Sequence, residues 1–223
     1  MNAVSWESFW APVRLSLQVS LLASVIVLVL GLFAAWGMSR ASFRGKLLVE
    51  TAFMLPLVLP PTVVGFLLLV ALGRNSWVGR LAEAILHAPI VFSWGAAVIA
   101  AVVVAFPLVY QTLKTGFASV DRDLTDAARS IGADEWQLFR YVTFPLIAPS
   151  FAAAYILGFA RGLGEFGATL MIAGNIPGRT QTIPTAMYVA VDVGDTALAW
   201  AWTGAMLSIS FLMLLFAGRK RSL

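Results

Sequence analysis

Arg161 and Glu165 are the two charged residues that lie deepest within an apolar stretch of this sequence. Residues four apart lie on one face of a helix, so the guanidinium and the carboxylate can pair. A lone charge at mid-bilayer costs about 2.5–3.5 kcal/mol on insertion scales. We therefore expect the pair to face a helix bundle, a second subunit or a water-filled path. Both a structural ion pair and a lining or gating role in an anion path are open.

The sequence offers few other groups for catalysis or metal binding. It contains no cysteine and a single histidine, His87, so cysteine nucleophiles, thiolate sites and multi-histidine metal sites are excluded. An intramembrane enzyme needs a converging nucleophile, base or metal ligand set, which one intramembrane carboxylate does not supply. We expect a chain that is not an enzyme and holds no metal. His87, close to Pro89, fits an interfacial residue better than a ligand.

The composition places the chain in a membrane. It has 223 residues, of which 60% are hydrophobic and 12% charged, and its mean hydropathy is +0.88. Soluble domains are about half apolar and about a quarter charged, so a soluble enzyme and a disordered chain are both excluded. The net charge of +4 could indicate nucleic acid binding. In a membrane chain it more often reports basic cytoplasmic loops, and we expect no nucleic acid partner.

Five long apolar runs predict five transmembrane helices. Each run exceeds the roughly 20 residues that a spanning helix needs, and no alternation typical of barrel strands is visible. We predict an all-α integral membrane protein with a single transmembrane domain over residues 1–223. The predicted spans are 13–38, 47–72, 89–113, 146–173 and 196–217, and the sizeable polar loop lies at 115–145.

The basic residues predict the orientation. An odd number of spans places the two termini on opposite sides of the membrane. With the N-terminus outside, ten Lys or Arg residues fall in cytoplasmic segments and four in outer segments. Because cytoplasmic loops carry the excess of Lys and Arg, we predict the N-terminus outside and the C-terminus inside. Trp6, Phe9 and Trp10 fit an outer aromatic anchor. The ten inner residues are Arg40, Arg44, Lys46, Lys114, Arg122, Arg129, Arg140, Arg219, Lys220 and Arg221.

The polar loop predicts two short helices joined at a glycine. Asp121 is a plausible N-cap for a helix that ends near Ile131, and Gly132 stands where helices often end in a left-handed residue. Asp134 and Gln137 form a capping-box pattern for the second helix. Such an elbow suits docking into a groove of another protein. An amphipathic loop resting on lipid headgroups is the alternative.

Prolines and glycines interrupt two of the predicted spans. Pro56, Pro60 and Pro61 fall in the second span, where proline removes amide donors and kinks the helix. Broken helices often line transport sites, although a kink packed against neighbouring helices is equally open. In the fourth span, Gly158 and Gly162 have the spacing of a close helix contact. The same span contains Gly164 and Gly167, whose backbone amides could meet an oxyanion, and these two glycines join the three prolines, Arg161 and Glu165 as pathway or gate candidates.

The polar loop resembles the cytoplasmic signature of ABC importer permeases. Asp126, Ala127 and Ala128 are followed after three residues by Gly132, and after nine more by Val142-Thr143-Phe144-Pro145. The family signature has Glu-Ala-Ala, Gly and Ile-x-Leu-Pro at the same spacing, so the departures are Asp for Glu, Val for Ile and Phe for Leu. In that family the element is the coupling helix, which sits in a cleft of the ATP-hydrolysing subunit.

Two further stretches resemble the molybdate and sulfate group of these permeases. Leu55–Gly65 is similar to the second span of that group, and Leu163–Thr169 with Ala173–Thr182 is most similar to molybdate permeases. The resemblance implies a type I ABC importer permease fold in a bacterial cytoplasmic (inner) membrane. It also implies a homodimer, an ABC ATPase dimer that uses ATP and Mg²⁺, and a periplasmic molybdate-binding protein. In the family that protein faces the loop that here contains Asn175, Pro177, Gly178 and Arg179.

The function predicted from the resemblance is the permease subunit of an ATP-driven molybdate importer that works by alternating access. The chain has no phosphate-binding P-loop, so we expect it to bind no cofactor and its partner to hydrolyse ATP. Tungstate or sulfate importers of the same architecture are the nearest alternatives. A secondary transporter that works without ATP is the alternative of another class. It predicts further intramembrane acids or histidines, or an inverted repeat, and neither is evident.

Overall fold

A computed structural model describes residues 6–219, and every regular element in that range is helical. This confirms the all-α prediction. Trp6 has no described side chain, and Lys220 and Arg221 lie outside the described residues. The helices are α1 (Trp6–Arg40), α2 (Lys46–Val58), α3 (Pro61–Leu72), α4 (Trp77–Leu86), α5 (Trp94–Ala118), α6 (Arg122–Ser130), α7 (Glu135–Leu138), α8 (Phe144–Leu163), α9 (Gly167–Ala173), α10 (Ile183–Asp192) and α11 (Thr196–Arg219).

Helices α1, α5 and α8 form the centre of the bundle and pack through small residues. Ala97, Ala101 and Ala105 of α5 are fully or almost fully buried. A Cβ atom placed on Gly158 would lie 3.0 Å from Val109 Cγ2 and 3.2 Å from Val27 Cγ1. Small residues at such crossings allow helices to approach closely in a membrane. The prediction that Gly158 serves close helix packing is therefore confirmed.

Within residues 6–219, four helices are long and apolar enough to cross a membrane. They are Ser8–Arg40, Trp94–Ala118, Glu135–Leu163 and Thr196–Leu215. The fifth predicted span, 47–72, is the pair α2 and α3, which meet at an angle of 114°. Leu59 and Pro60 each precede a proline, and both adopt extended conformations with ψ of 143° and 136°. Since a residue before proline avoids the helical region, two consecutive prolines break the helix here.

The fourth predicted span, 146–173, is also corrected. Helix α8 ends at Leu163, residues 164–166 are not helical, and α9 begins at Gly167. At its N-terminal end, α8 is continuous with the π-helical turn Phe139–Thr143 and with α7, so that one uninterrupted helix runs from Glu135 to Leu163. Pro145 lacks an amide donor, and the wider turn before it accommodates this change in the hydrogen-bond pattern. The loop predicted at 115–145 is correspondingly shorter, because α5 extends to Ala118.

Two short helices, α4 and α10, lie between the predicted spans, where we predicted no helix. Trp77, Leu81 and Ile85 form an exposed apolar stripe on α4. His87 ends that helix in a left-handed conformation, with φ of 53°. Helix α10 is anchored on α1, because the Ile183 amide donates a hydrogen bond of 2.7 Å to the Ser16 hydroxyl.

The aromatic residues near the N-terminus connect α1 to α11. The ring of Phe9 stacks on Trp202 with centroids 6.4 Å apart, and the Trp202 indole donates to the Phe9 carbonyl at 3.1 Å. Phe9 is therefore half-buried within the protein, whereas Trp10 is 52% exposed. Of the predicted anchor residues whose side chains are described, Trp10 is the one that faces outward.

Candidate functional site

The two helix breaks lie against each other in the folded protein. Helix α3 follows the first break and α9 follows the second, and these two short helices pack closely together. A Cβ atom on Gly167 would lie 3.2 Å from Pro61 Cβ. A Cβ atom on Gly65 would lie only 2.7 Å from Ala168 Cα. The structure thus brings Pro61 and Gly167, both predicted as gate candidates, into one place, and it adds Gly65, which sequence reasoning did not single out.

Pro56 and Gly164 are less tightly engaged. Pro56 lies within α2, of which no residue is buried. A Cβ atom on Gly164 would meet nothing closer than the Ala160 carbonyl oxygen, at 3.7 Å. Gly164 instead ends α8, and its amide donates to that carbonyl at 3.2 Å. Close packing therefore does not account for a glycine at position 164.

Arg161 and Glu165 form the predicted ion pair, with 2.8 Å between a guanidinium nitrogen and Glu165 Oε2. The premise of one continuous helix was wrong, because α8 ends at Leu163 and Glu165 lies in the break. Its other oxygen, Oε1, accepts a hydrogen bond of 2.8 Å from the Ala168 amide in the first turn of α9. The Glu165 side chain is only 1% exposed, whereas that of Arg161 is 27% exposed. Glu165 therefore joins the end of α8 to the start of α9 and leaves part of the guanidinium accessible.

The predicted elbow is present on the polar side of the bundle. The Asp121 carboxylate accepts from the Asp123 amide at the start of α6, and Asp134 and Gln137 form the predicted capping box on α7. Gly132, between the two helices, has φ of +91°, a conformation that L side chains rarely adopt. The structure confirms the two short helices and the left-handed glycine between them.

Helix α6 does not bury its apolar side within the chain. Leu124 is 50% exposed and Ile131, just after the helix, is 87% exposed. Asp126 and Ala127 are exposed, and Ala128 is half-buried. Of the remaining signature residues, Gly132 and Pro145 are both exposed. The elbow thus exposes the apolar Leu124 and Ile131 beside the small residues of the signature, an arrangement that is suited to close contact with another protein.

Glu135 connects this elbow to α1, a relationship that sequence reasoning missed. Glu135 Oε2 lies 2.8 Å from an Arg40 guanidinium nitrogen, and Glu135 Oε1 accepts from Arg129 Nε at 3.0 Å. The hydrogen bond from Arg129 to Glu135 raises the pKa of the Arg129 guanidinium above its usual value. Arg40 is far away in sequence, so no local spacing indicates this bridge.

Aromatic residues reinforce the same junction. Phe139, in the π-helical turn, packs on Trp36 of α1 with centroids 5.9 Å apart and on Trp136 at 6.0 Å. Trp136 and Phe139 thus form a joint aromatic face at this junction. This face holds the start of the long helix Glu135–Leu163 against the end of α1.

The loop after α9 is an ordered turn with an exposed tip. The Ile176 carbonyl accepts hydrogen bonds from the amides of Arg179, Thr180 and Gln181 at 3.0, 2.9 and 3.1 Å. Gly178 adopts a positive φ of 72°. Pro177, Gly178 and Arg179 are exposed, while Asn175 is half-buried. The turn follows a helix rather than a strand, which is unlike a phosphate loop.

Comparison with known proteins agrees with this architecture. Residues 27–219 match the family described as "Binding-protein-dependent transport system inner membrane component". One relative carries the name of a molybdenum transport system permease protein, YvgM of Bacillus subtilis (strain 168). It is 54% identical to this chain over 221 residues, which cover 99% of this chain and 97% of YvgM. The molybdenum transport system permease protein ModB of Escherichia coli (strain K12) is 46% identical over 183 residues, covering 82% of this chain and 80% of ModB.

A solved structure shows the same fold. A chain of the MetNI methionine ABC transporter, in a crystal structure of inward-facing conformations, superposes with a TM-score of 0.74 at 16% sequence identity. The match covers 96% of each chain. Together with the broken helices, the exposed elbow and the family match, this similarity establishes that the protein has the permease fold. The chain belongs to the family of inner membrane components of binding-protein-dependent transport systems.

Proposed function

We propose that this chain is the permease subunit of an ATP-driven importer that moves molybdate across a bacterial cytoplasmic membrane by alternating access. The cargo is supported by the names of the two relatives, which match the chain over most of its length. The observation that carries the mechanism is the exposed α6 elbow. Its apolar residues have no cover within the described chain, which is the arrangement that a docked partner would complete.

The partner at α6 is a cytoplasmic ABC ATPase dimer, with one ATPase for each permease copy. Ala127 and Ala128 permit close approach, and Gly132 permits the bend that presents them. Asp126 is held by Arg129 at 3.1 Å, and Pro145 lies in the first turn of α8. The partner would bind and hydrolyse ATP with Mg²⁺, while this chain converts the movement of the ATPase into a change of the pathway.

Two connections can carry that movement into the membrane. Glu135 joins α6 to α1 through Arg129 and Arg40. The uninterrupted helix Glu135–Leu163 has 29 residues, which corresponds to about 43 Å at 1.5 Å per residue. It therefore links the coupling elbow to the break that contains Glu165. Rigid-body motion of such a helix is a common form of switching.

The pathway residues of this proposal are those at the two breaks. The partly exposed Arg161 guanidinium can attract a passing oxyanion, and Glu165, at 2.8 Å, neutralises part of its charge. A partly neutralised site favours passage over tight retention. The crossing of α3 and α9 at Gly65 and Gly167 would form the adjacent gate, and Pro56 and Pro60 with Pro61 shape the segment that leads to it.

A second copy of this chain is needed to enclose the transport pathway. No residue of α2 is buried, and the apolar spanning stretch of α11 is only 11% buried within the described chain. Lipid and a second copy would together cover these surfaces, so we propose a homodimer. On the outer side, the exposed tip Pro177–Arg179 with Asn175 would contact a periplasmic molybdate-binding protein. This assignment uses the predicted orientation, with the N-terminus outside.

Uptake into proteoliposomes tests the proposal. The chain is reconstituted with its ATPase and binding protein, and radiolabelled molybdate is supplied with unlabelled molybdate, tungstate or sulfate as competitor. We expect uptake that requires ATP inside the vesicle, and competition by molybdate and tungstate but weakly by sulfate. Uptake without ATP would identify a secondary transporter instead. Equal competition by sulfate, or transport of sulfate alone, would contradict the molybdate assignment.

A further inference from the structure

A basic cavity lies beside the coupling elbow, at the end of the bundle where α1 finishes. Its volume is about 390 Å³, and the ends of α1, α5 and α6 contribute to its wall. Among the described residues that line it there is no carboxylate. The cationic residues of the wall are Arg40, Lys46, Lys114, Arg122 and Arg129. Such a pocket at a membrane surface has the chemistry of a site for an anionic headgroup.

The charge of this cavity is only partly neutralised by neighbouring side chains. Lys114 pairs with Glu50 at 2.8 Å, Arg40 and Arg129 share Glu135, and Arg129 also pairs with Asp126 at 3.1 Å. Within residues 6–219, no carboxylate pairs with Arg122. The cavity therefore keeps an excess of positive charge that an anion would balance.

An apolar groove adjoins the basic cavity. It has a volume of about 320 Å³ and is lined by Leu32, Phe33, Trp136 and Phe139, with Glu135 at one side. Trp36 lines both the groove and the cavity. The groove opens on an exposed stripe of α1 with a spacing of three or four residues, formed by Leu22, Val25, Val29 and Phe33. Arg40 lies further along the same face of α1, so the exposed apolar stripe ends at the basic cavity.

Trp36 marks the junction between the two. The Arg40 guanidinium lies 4.7 Å from the centre of its ring. Its indole Nε1 is buried, and none of the described residues accepts a hydrogen bond from it. A buried donor without an acceptor is costly, but this nitrogen is covered by the protein itself, so Trp36 would contact a bound molecule through the parts of its side chain that line the cavity and the groove.

We propose that this end of the bundle binds one anionic phospholipid, with its phosphate in the basic cavity and an acyl chain in the groove beside α1. A free oxyanion would occupy the cavity but leave the groove uncovered, whereas an amphiphile matches both. The bound lipid would contact α1, α6 and the π-helical turn together. The site is separate from the helix breaks of the proposed pathway. The leaflet depends on the predicted orientation, but the binding itself does not.

Native mass spectrometry of the full-length chain, purified in complex with its ATPase, tests this inference. The complex is titrated with dioleoylphosphatidylglycerol and, separately, with dioleoylphosphatidylcholine. We expect preferential retention of the anionic lipid. Arg122→Gln should weaken that retention about fivefold, which corresponds to about 1 kcal/mol for one basic residue near a membrane surface. Arg80→Gln is the matched control, because Arg80 is exposed on α4 and no described carboxylate pairs with it.

A second pair of variants tests the groove. Phe33→Ala should reduce retention of the anionic lipid, whereas Phe211→Ala on α11 should not, although the two side chains are 64% and 66% exposed. Equal retention of both lipids, or no effect of Arg122→Gln, would overturn the proposal. Displacement of the lipid by inorganic phosphate or molybdate at similar concentrations would show a free-oxyanion site instead and would also overturn it. These readouts do not involve uptake, so they can fail independently of the proposed transport function.

Discussion

The ring of Pro61 lies so close to Gly167 that a methyl group on Gly167 would sit 3.2 Å from Pro61 Cβ. Pro61 is the first residue of α3 and Gly167 is the first residue of α9. The two helices each follow a break, and they lie about a hundred positions apart in the sequence. Their contact forms one part of the proposed gate, and the neighbouring Gly65 is more crowded still.

Gly65→Ala should impair both stability and uptake. The new methyl group would meet the Ala168 backbone, with Cα at 2.7 Å and the carbonyl oxygen at 2.9 Å, so the helices must separate. Overpacking of this kind costs about 1–3 kcal/mol. Gly204→Ala on α11 is the control, because nothing lies within 4 Å of the position that its Cβ would take. Thermal unfolding in detergent measures the difference, and equal melting temperatures would contradict the tight crossing.

Glu165→Gln should be more harmful than the joint replacement of Arg161 and Glu165 by glutamine. The single change leaves a partly buried guanidinium without its partner, and breaking a buried pair costs up to about 3–5 kcal/mol. The partial exposure of Arg161 reduces that figure. Molybdate uptake and thermal stability should both be lower in Glu165→Gln than in the double variant. The exposed pair Arg74 and Glu83, at 3.1 Å, is the control and should be nearly insensitive. If the losses of uptake caused by the changes at positions 161 and 165 were independent and additive, Arg161 and Glu165 would not act as a pair.

Gly132→Leu should leave the protein in the membrane but uncouple it from the ATPase. Leucine at φ of +91° is strained, so the elbow would change its direction. The measurement is ATPase activity of the purified complex with and without loaded binding protein. Gly45→Leu carries similar strain, since Gly45 has φ of +99° and open space around it, but it lies outside the elbow. Retained stimulation in Gly132→Leu, or equal loss in Gly45→Leu, would contradict the proposed role.

Glu135→Gln should weaken coupling with little effect on folding. The two ion pairs that it breaks join α1 to α6, yet their side chains are 40–54% exposed. Exposed ion pairs contribute little to stability, so the melting temperature should change little while stimulated ATPase activity and uptake fall. Glu83→Gln, which breaks an ion pair between Arg74 and α4, is the control. A variant with normal coupling would show that the bridge carries no movement.

Single cysteines can map the docking surface and the orientation, because the native chain contains none. Ile131→Cys should react with a maleimide in the isolated chain and become protected when the ATPase binds, since Ile131 is 87% exposed. Val193→Cys, at a position that is 70% exposed before α11, should stay reactive in the complex. In intact cells a membrane-impermeant maleimide should label position 193 and not position 131. The reverse labelling would invert the predicted orientation.

Local patterns predicted the parts of the fold that local physics determines. Asp121, Gly132 and the Asp134–Gln137 capping box were recognised because caps and left-handed glycines act within a few residues. The apolar length of α1, α5 and α11 was sufficient to identify them as spans. The pairing of Arg161 with Glu165 followed from their separation of four, although the helix between them ends earlier than expected.

Long-range relationships were not predictable in the same way. The bridge from Glu135 to Arg40 joins residues nearly a hundred positions apart, and no periodicity indicates it. The close approach of Gly65 to Ala168 depends on how the two bent segments fold back on the bundle. The short helix α4 was missed because ten residues give too few repeats of an amphipathic stripe to separate it from a loop.

The crossing of α3 and α9 has a consequence for how this protein can change during evolution. The chain assigns these two short helices to different spans, but their packing makes them a single unit. A smaller residue at position 168 would not make room for a larger one at position 65, because the atoms in the way are the Cα and carbonyl oxygen of the Ala168 backbone. Position 65 should therefore remain glycine among homologues that keep this crossing, and a larger residue at position 167 should occur only together with changes at positions 61 and 62. The residues of α3 and α9 that form this crossing should therefore change together in evolution, although they belong to different spans.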